Sequence, residues 1–211
     1  MIFDFHTHSF LSDGINSPIE LIRCADAAGY KCIALTDHAS YSNIDFIIES
    51  LARDCQLAGK YWDIMAIPGI EITNVPAKSI NDMAAYAKQK GAKIVVVHGQ
   101  TIVENVEEKT NWEAVNSPHV DLLAHPGLIT AAEAEAAAKN MVFLEISARK
   151  GHSLGNGRTV MEGRKAQARF LINTDSHSHL DLFKPDFLNQ VGLGAGLSVE
   201  EIEEITRVNT S

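Results

Sequence analysis

The chain has 211 residues, 45% of them hydrophobic, and a formal net charge of -9. That length predicts one domain, residues 1–211, with room for a sizeable core. The acidic balance argues against a nucleic-acid surface, where a basic footprint is expected, and no apolar stretch is long enough to span a bilayer.

The first residues lack the basic and apolar regions of a secretory signal. Cys24, Cys32 and Cys55 are scattered and form no CxxC pair. Both features suit a reducing, cytoplasmic setting, with the cysteines as small buried hydrophobes.

Met1-Ile2-Phe3-Asp4-Phe5 reads as a strand that starts the fold. It runs into His6-Thr7-His8. Side chains i and i+2 of a strand face the same way, so these imidazoles can close on one metal ion. A polar turn, Ser9 to Gly14, follows. Ser17-Pro18-Ile19-Glu20 opens a helix with a capping box and proline at its first position, and Gly29 stops it. Lys31 to Thr36 is a buried strand ending at Asp37-His38. Ile44 to Ala58 reads as a helix stopped by Gly59. Ile64 to Ile67 is a strand leading to Gly69-Ile70-Glu71.

Ser79 is expected to cap a helix through Lys90, ended by Gly91. Lys93 to Val97 is strand-like and ends at His98. A helical stretch is expected from Val103 to Val115. Val120 to Ala124 is a strand ending at His125-Pro126. Thr130 to Glu133 is a second capping box, opening an Ala-rich helix to Lys139. Met141 to Ile146 is a strand with Glu145 inside it. Gly155 to Gln167 contains a helix. Ala168 to Asn173 is a strand ending at Thr174-Asp175-Ser176-His177. Ser198 opens the last helix, within a stretch from Gly192 to Ser211 that is Gly-rich and then helical.

Seven apolar strands alternating with helices predict an α/β chain with a parallel sheet. Six of the seven carry His, Asp or Glu at or just beyond their C-terminal ends. A parallel barrel gathers its site at that face, whereas an open sheet has one switch point. A closed seven-stranded barrel therefore fits better. The candidate metal ligands are His6, His8, Asp13, His38, Glu71, His98, His125, Asp175 and His177. Imidazoles and carboxylates suit Zn, Mn or Fe. Nine ligands suit two or three divalent ions, and three would bring the net charge from -9 to -3. Without ions, Asp13, Glu71 and Asp175 are expected to repel one another and weaken the apoprotein.

Taken together, His6-Thr7-His8, Ser12-Asp13-Gly14, Thr36-Asp37-His38, Gly69-Ile70-Glu71, His98, His125-Pro126 and Asp175-Ser176-His177 resemble the PHP (polymerase and histidinol phosphatase) superfamily. The resemblance covers nearly the whole chain. It implies a distorted (β/α)7 TIM-like barrel and a metal-dependent phosphoesterase. It also implies three ions: one on His6, His8, Glu71 and Asp175, a second on Glu71, His98 and His125, and a third on Asp13, His38 and His177. The expected chemistry is hydrolysis of a phosphate monoester by a hydroxide bridging two ions. Such ions lower the pKa of water from about 15.7 to roughly 7. His6, His98 and His125 would then hold ions rather than act as bases.

Phosphate oxygens need cations. Ser147-Ala148-Arg149-Lys150-Gly151 resembles a stretch of family phosphatases, and nominates Arg149, Arg158, Lys150 and His152 for substrate. His179 is either a polar neighbour of the site or proton donor, or an exposed turn histidine. Asp37 either orients a metal-binding imidazole or caps a turn. His119 falls at the wrong face of the barrel. Glu145 is expected inside the barrel, with a basic group or metal-bound water as partner. A small phosphorylated metabolite is the expected substrate, with histidinol phosphate the first candidate. The alternatives are a phosphodiesterase or exonuclease on nucleotides, and a non-catalytic RNA-binding subunit resembling the ribonuclease P barrel protein.

Overall fold

The computed structural model describes residues 2–208, with all their side chains except those of Pro185, Arg207 and Val208. The elements run β1 (Ile2–Asp4), α1 (Pro18–Ala27), β2 (Tyr30–Leu35), β3 (His38–Ala39), α2 (Ile44–Tyr61), β4 (Met65–Ile72), α3 (Ile80–Lys90) and β5 (Ile94–His98). They continue with α4 (Thr110–Val115), β6 (Leu122–Ala124), α5 (Ala131–Asn140), β7 (Phe143–Ser147), α6 (Asn156–Ala166), β8 (Phe170–Asn173), α7 (Pro185–Ala195) and α8 (Val199–Val208).

The strands pair in parallel in the order β1-β2-β4-β5-β6-β7-β8, and the two-residue β3 extends the edge of β4. Between the β1 and β8 sides there is, among the described residues, a single isolated bridge, Thr7 to Ser176. The protein is therefore a single-domain, nearly closed, distorted barrel of seven parallel strands with helices outside.

The period of two along each strand divides the molecule into two cores. Val95, Val97, Leu123, Leu144, Ile146, Phe170 and Ile172 point outward and pack under the helices. Ile94, Val96, Leu122, Ala124 and Leu171 point inward and plug the barrel. The same inward register carries on to His98 from Val96, to Asn173 from Leu171 and to Glu145 from Phe143. The polar site thus sits on an apolar floor at the C-terminal end. Gly69 lies on this inward face of β4 because a Cβ there would strike Ile94.

Both expected capping boxes form: Ser17 accepts from Glu20 N at 3.3 Å, and Thr130 from Glu133 N at 3.3 Å. Other boundaries differ from the sequence reading. Helix α2 continues through Gly59 to Tyr61, because tertiary packing of its apolar face outweighs the weak helix propensity of one glycine. Ser79 makes no side-chain cap; its hydroxyl donates to the Pro76 carbonyl at 2.7 Å. The helix expected from Val103 covers only Thr110–Val115. Lys109 has a positive φ of 72°, and Glu107 accepts from Ala77 N at 3.1 Å instead of serving a local turn. Helix α7 was not anticipated, since its glycines masked the apolar pattern. Met1 and residues 209–211, parts of expected elements, lie outside the described residues.

Candidate metal centre

His6 and His8 do not lie on a strand, because β1 ends at Asp4. They sit on the extended segment beyond it. There Thr7 locks the backbone, accepting from Thr36 N at 2.8 Å and donating its hydroxyl to Ala34 O at 2.7 Å. The two Nε2 atoms come within 3.0 Å. His125 and Asp175 also lie one or two residues past their strands. Both have positive φ, 25° and 52°. Strained backbone of this kind clusters at functional sites.

Glu71, fully buried on β4, is the centre. Its Oε1 lies 3.4 Å from His6 Nε2, 3.2 Å from His98 Nδ1 and 3.5 Å from His125 Nε2. Its Oε2 lies 3.6 Å from His8 Nε2. His38 Nδ1 is 2.7 Å from both Glu71 Oε2 and Thr73 Oγ1, and only the threonine has hydrogen-bond geometry. On one side Asp175 Oδ1 lies 3.3 Å from His8 Nε2 and 3.8 Å from His6 Nε2. On the other, Asp13 meets His177 Nε2 at 3.1 Å and His38 Nε2 at 3.6 Å. All nine expected ligands are thus gathered at one end of the barrel.

Charge alternates through the cluster. Burial raises the Glu71 pKa, but His6, His38 and His98 outweigh it and hold the carboxyl well below its usual range. Asp175 is also driven down against burial, by His6 and His8, and Asp13 by His177 and His38. Burial opposes charge on His38 and His98, yet Glu71 beside both lifts them to about 10 and about 9. His6 is raised well above the usual imidazole range by Glu145, Glu71 and Asp175 against burial. Burial pushes His8 down to about 4. Without metal, the depressed carboxyls thus stand beside the imidazoles of His6, His38 and His98, whose pKa values they raise.

The donor set fits divalent metal ions. Both oxygens of Glu71, Nδ1 of His8, both ring nitrogens of His98 and Nδ1 of His125 are buried without a hydrogen-bond partner. Such orphaned groups are rare unless something else satisfies them. A tetrahedral ion with bonds of ~2.1 Å puts its ligand atoms ~3.4 Å apart. The separations around Glu71 and Asp175 match that spacing. Among the described residues, five overlapping sets have ligand atoms within 4.8 Å of one another, including His8-Asp13-His38-His177, His6-His8-Asp175 and His38-Glu71-His98.

Glu145 has the partner that its sequence could not name. Its Oε1 accepts from His6 Nδ1 at 2.8 Å and Asn173 Nδ2 at 2.9 Å, and its Oε2 from His125 N at 3.0 Å. This holds the His6 proton on Nδ1 and turns Nε2 toward the cluster, as carboxylates behind ligating histidines do. Asp37 neither orients an imidazole nor caps the following turn. It accepts from Ser9 N, Ser9 Oγ and Ser12 Oγ at 2.7–2.8 Å and so fixes the loop that carries Asp13.

The nominated substrate residues divide. Arg149 Nη1 donates to the Asp175 carbonyl at 3.1 Å, beside the cluster, with Lys150 exposed next to it. His152 is buried deeper than a surface cation would be, stacked on His125 at 4.1 Å and joined to Thr101 Oγ1 at 2.7 Å. Its Nε2 lies 3.7 Å from Asp175 Oδ2, so it can be a ligand as well as a substrate contact. Arg158 turns away, donating to Ile129 O at 3.0 Å and pairing with Glu162 at 3.4 Å. His179 is exposed and turns to Asn16. His119 is half-buried near the opposite end of β6. Glu104, not singled out from sequence, reaches His98 Nε2 at 3.0 Å and His152 Nε2 at 3.4 Å. It sits in a loop that read as helix, and no local pattern marked it.

The PHP domain family matches residues 4–187, and the chain belongs to that family. It is 48% identical over 204 residues to an uncharacterized protein of Methanocaldococcus jannaschii, covering 96% of this chain and 94% of that one. It is 23% identical to ribonuclease P protein component 3 of Methanosarcina barkeri, covering 98% of this chain and 84% of the other. The fold is shared with a histidinol phosphate phosphatase from Lactococcus lactis, solved with zinc, L-histidinol and phosphate. That match has a TM-score of 0.63 and 15% identity, and covers 93% of this chain and 94% of the other.

Proposed function

We propose that this protein is a metal-dependent phosphoesterase that hydrolyses a phosphate monoester of a small metabolite, with two or three divalent ions held by the nine gathered ligands. The observation that carries this reading is Glu71. A fully buried carboxylate with two unsatisfied oxygens, ringed by five imidazoles, is intelligible as a bridge between cations. His6, His8 and Asp175 would share one ion with Glu71, His98 and His125 a second, and Asp13, His38 and His177 a third. Zn, Mn or Fe, if bound there, would supply Lewis acidity toward phosphate oxygens and lower the pKa of water.

The chain's own residues supply the rest. Arg149, tethered beside Asp175, is placed to bind a phosphate oxygen. Glu145 holds His6 in the tautomer that presents Nε2. The apolar plug beneath the cluster excludes water from its floor. The products are inorganic phosphate and the free alcohol.

The test is phosphate release from a panel of esters that includes histidinol phosphate. Protein is reloaded separately with Zn, Mn or Fe and run beside a chelated control. Release that requires metal supports the proposal. No release, with metal bound stoichiometrically, refutes it. The likeness to a ribonuclease P component gives a second reading, RNA support without hydrolysis. A salt-sensitive RNA complex of the inactive protein would favour that reading.

A further inference from the structure

Beside the ligand cluster lies a groove of about 680 Å³ that the ligand set does not explain. It begins at Asp175 and runs between the end of β7, with Arg149 and Lys150, and the segment Leu180–Lys184. Three cations face it: Arg149, Lys150 and Lys184. Its apolar surface comes from Leu180, Phe183 and Phe187, and the two phenyl rings meet edge-on at 4.8 Å.

The acids that border the groove are already engaged. Asp175 belongs to the cluster, and Asp181 Oδ2 accepts from His177 N at 3.1 Å. Lys150 and Lys184 are exposed and have no carboxylate partner among the described residues. In a chain of net charge -9 this is a local reversal of sign. The frame is built rather than loose. Phe183 N donates to Tyr30 Oη at 2.6 Å, and Asp181 N to Ser178 O at 2.9 Å.

The mouth over the cluster itself, a cavity of about 450 Å³, is lined by Asp13, His38, His98, His125 and Asp175, with Glu104 and His152 beside them. An ammonium group would be repelled by the three cations of the groove.

We propose that the substrate is a doubly anionic phosphate ester whose leaving group lies in this groove. The proposal rests on the hydrolytic reading above. Arg149, nearest the ions, takes the scissile phosphate. Lys150 and Lys184 take a second anionic group, phosphate or carboxylate, carried by the leaving group. Leu180, Phe183 and Phe187 cover the carbon frame between them. In the reaction, a water oxygen forms a bond to phosphorus and the bond from phosphorus to the ester oxygen breaks. The alcohol leaves with a proton and keeps its second anion.

The experiment compares kcat/KM on the metal-loaded full chain for matched esters. Fructose 6-phosphate is set against fructose 1,6-bisphosphate, glycerol 3-phosphate against 3-phosphoglycerate, and histidinol phosphate represents a cationic leaving group. Two solvent-exposed charge pairs predict a preference of about 2–30-fold for the second anion. Whichever pair shows it names phosphate or carboxylate as the source. In the double variant Lys150→Ala, Lys184→Ala, the ratio should fall toward one, with metal content by atomic emission equal to that of the parent.

A ratio near one in the parent protein, a preference for histidinol phosphate, or a ratio unchanged in the double variant would overturn the inference while hydrolysis stands. No release from any ester with metal bound would overturn the hydrolytic reading and this inference with it.

Discussion

Replacing Glu145 with Gln tests how the site is held, with almost no change in volume. Glu145 is fully buried and accepts three hydrogen bonds, from His6 Nδ1, Asn173 Nδ2 and His125 N. An amide has one acceptor oxygen where the carboxylate has two. If the amide oxygen faces His6 and Asn173, its NH2 confronts the His125 N–H, and a buried unsatisfied donor costs about 1–3 kcal/mol. If the amide flips, His6 Nδ1 faces a donor and the imidazole proton must move to Nε2, the atom aimed at Glu71 and Asp175. Either arrangement weakens a ligand. Losing such a supporting carboxylate typically lowers metal affinity about 10–100-fold, or about 1.4–2.8 kcal/mol. Competition titration of Zn or Mn against a chromophoric chelator measures the loss, and circular dichroism confirms the fold. Titration curves superimposable on the parent's would refute the role assigned to Glu145.

Saturation with metal at about 100 times Kd should stabilise the fold by ~2.7 kcal/mol, raising Tm by about 5–11 °C at this size; equal melts with and without chelator would contradict the ion-bridged cluster. The pH dependence of the apoprotein follows from the shifted groups. The depressed carboxyls of Glu71, Asp175 and Asp13 stabilise above their unfolded pKa, near 4, and that contribution is lost as pH falls further. The raised imidazoles of His38 and His98 stabilise fully below 6.5, and that contribution is lost as pH rises through about 9–10. His8, pushed down to about 4 by burial, adds stability as pH rises toward 6.5, so the cluster favours a chelated-state optimum near pH 6.5. Metal should move it upward, because ligating imidazoles must be neutral; melts across pH with and without chelator check this, and a shared optimum would count against it. Asp13→Ala should lower bound metal by one equivalent by atomic emission, since Asp13 belongs to the His8-His38-His177 set and not to those around Glu71 and Asp175; full stoichiometry would remove it as a ligand.

The ligand types and their strand-end positions were legible in the sequence because barrel strands deliver residues in order to one face. What was not legible depends on contacts between distant segments. Glu145 read only as a buried acid in need of a partner, because His6 lies 139 positions away. The segment from Val103 to Lys109 read as helix because its apolar spacing is helical. Its path is set instead by Asn111, which accepts from Gln100 N at 2.9 Å and donates to Pro126 O at 2.9 Å. Glu104 was hidden with it. Arg158 shared a helix start with residues near the site, but which way a guanidinium turns is decided by the nearest free carbonyl, here Ile129.

The same hydrogen bonds that position the ligands also close the barrel. Strands β1 and β8 share no regular ladder, so side chains replace it. Asn173 accepts from Phe5 N at 3.0 Å, and Asp4 accepts from Thr174 N at 3.2 Å. Asn173 then donates to Glu145, which holds His6 and the His125 backbone. His6 and His8 hang from one side of this seam and Asp175 from the other. An ion shared by them would reinforce the short backbone contact that joins the two sides, where His8 N donates to Ser176 O at 2.7 Å. The gap in the strand ladder and a candidate ligand set thus coincide, and a bound ion would add its free energy to barrel closure.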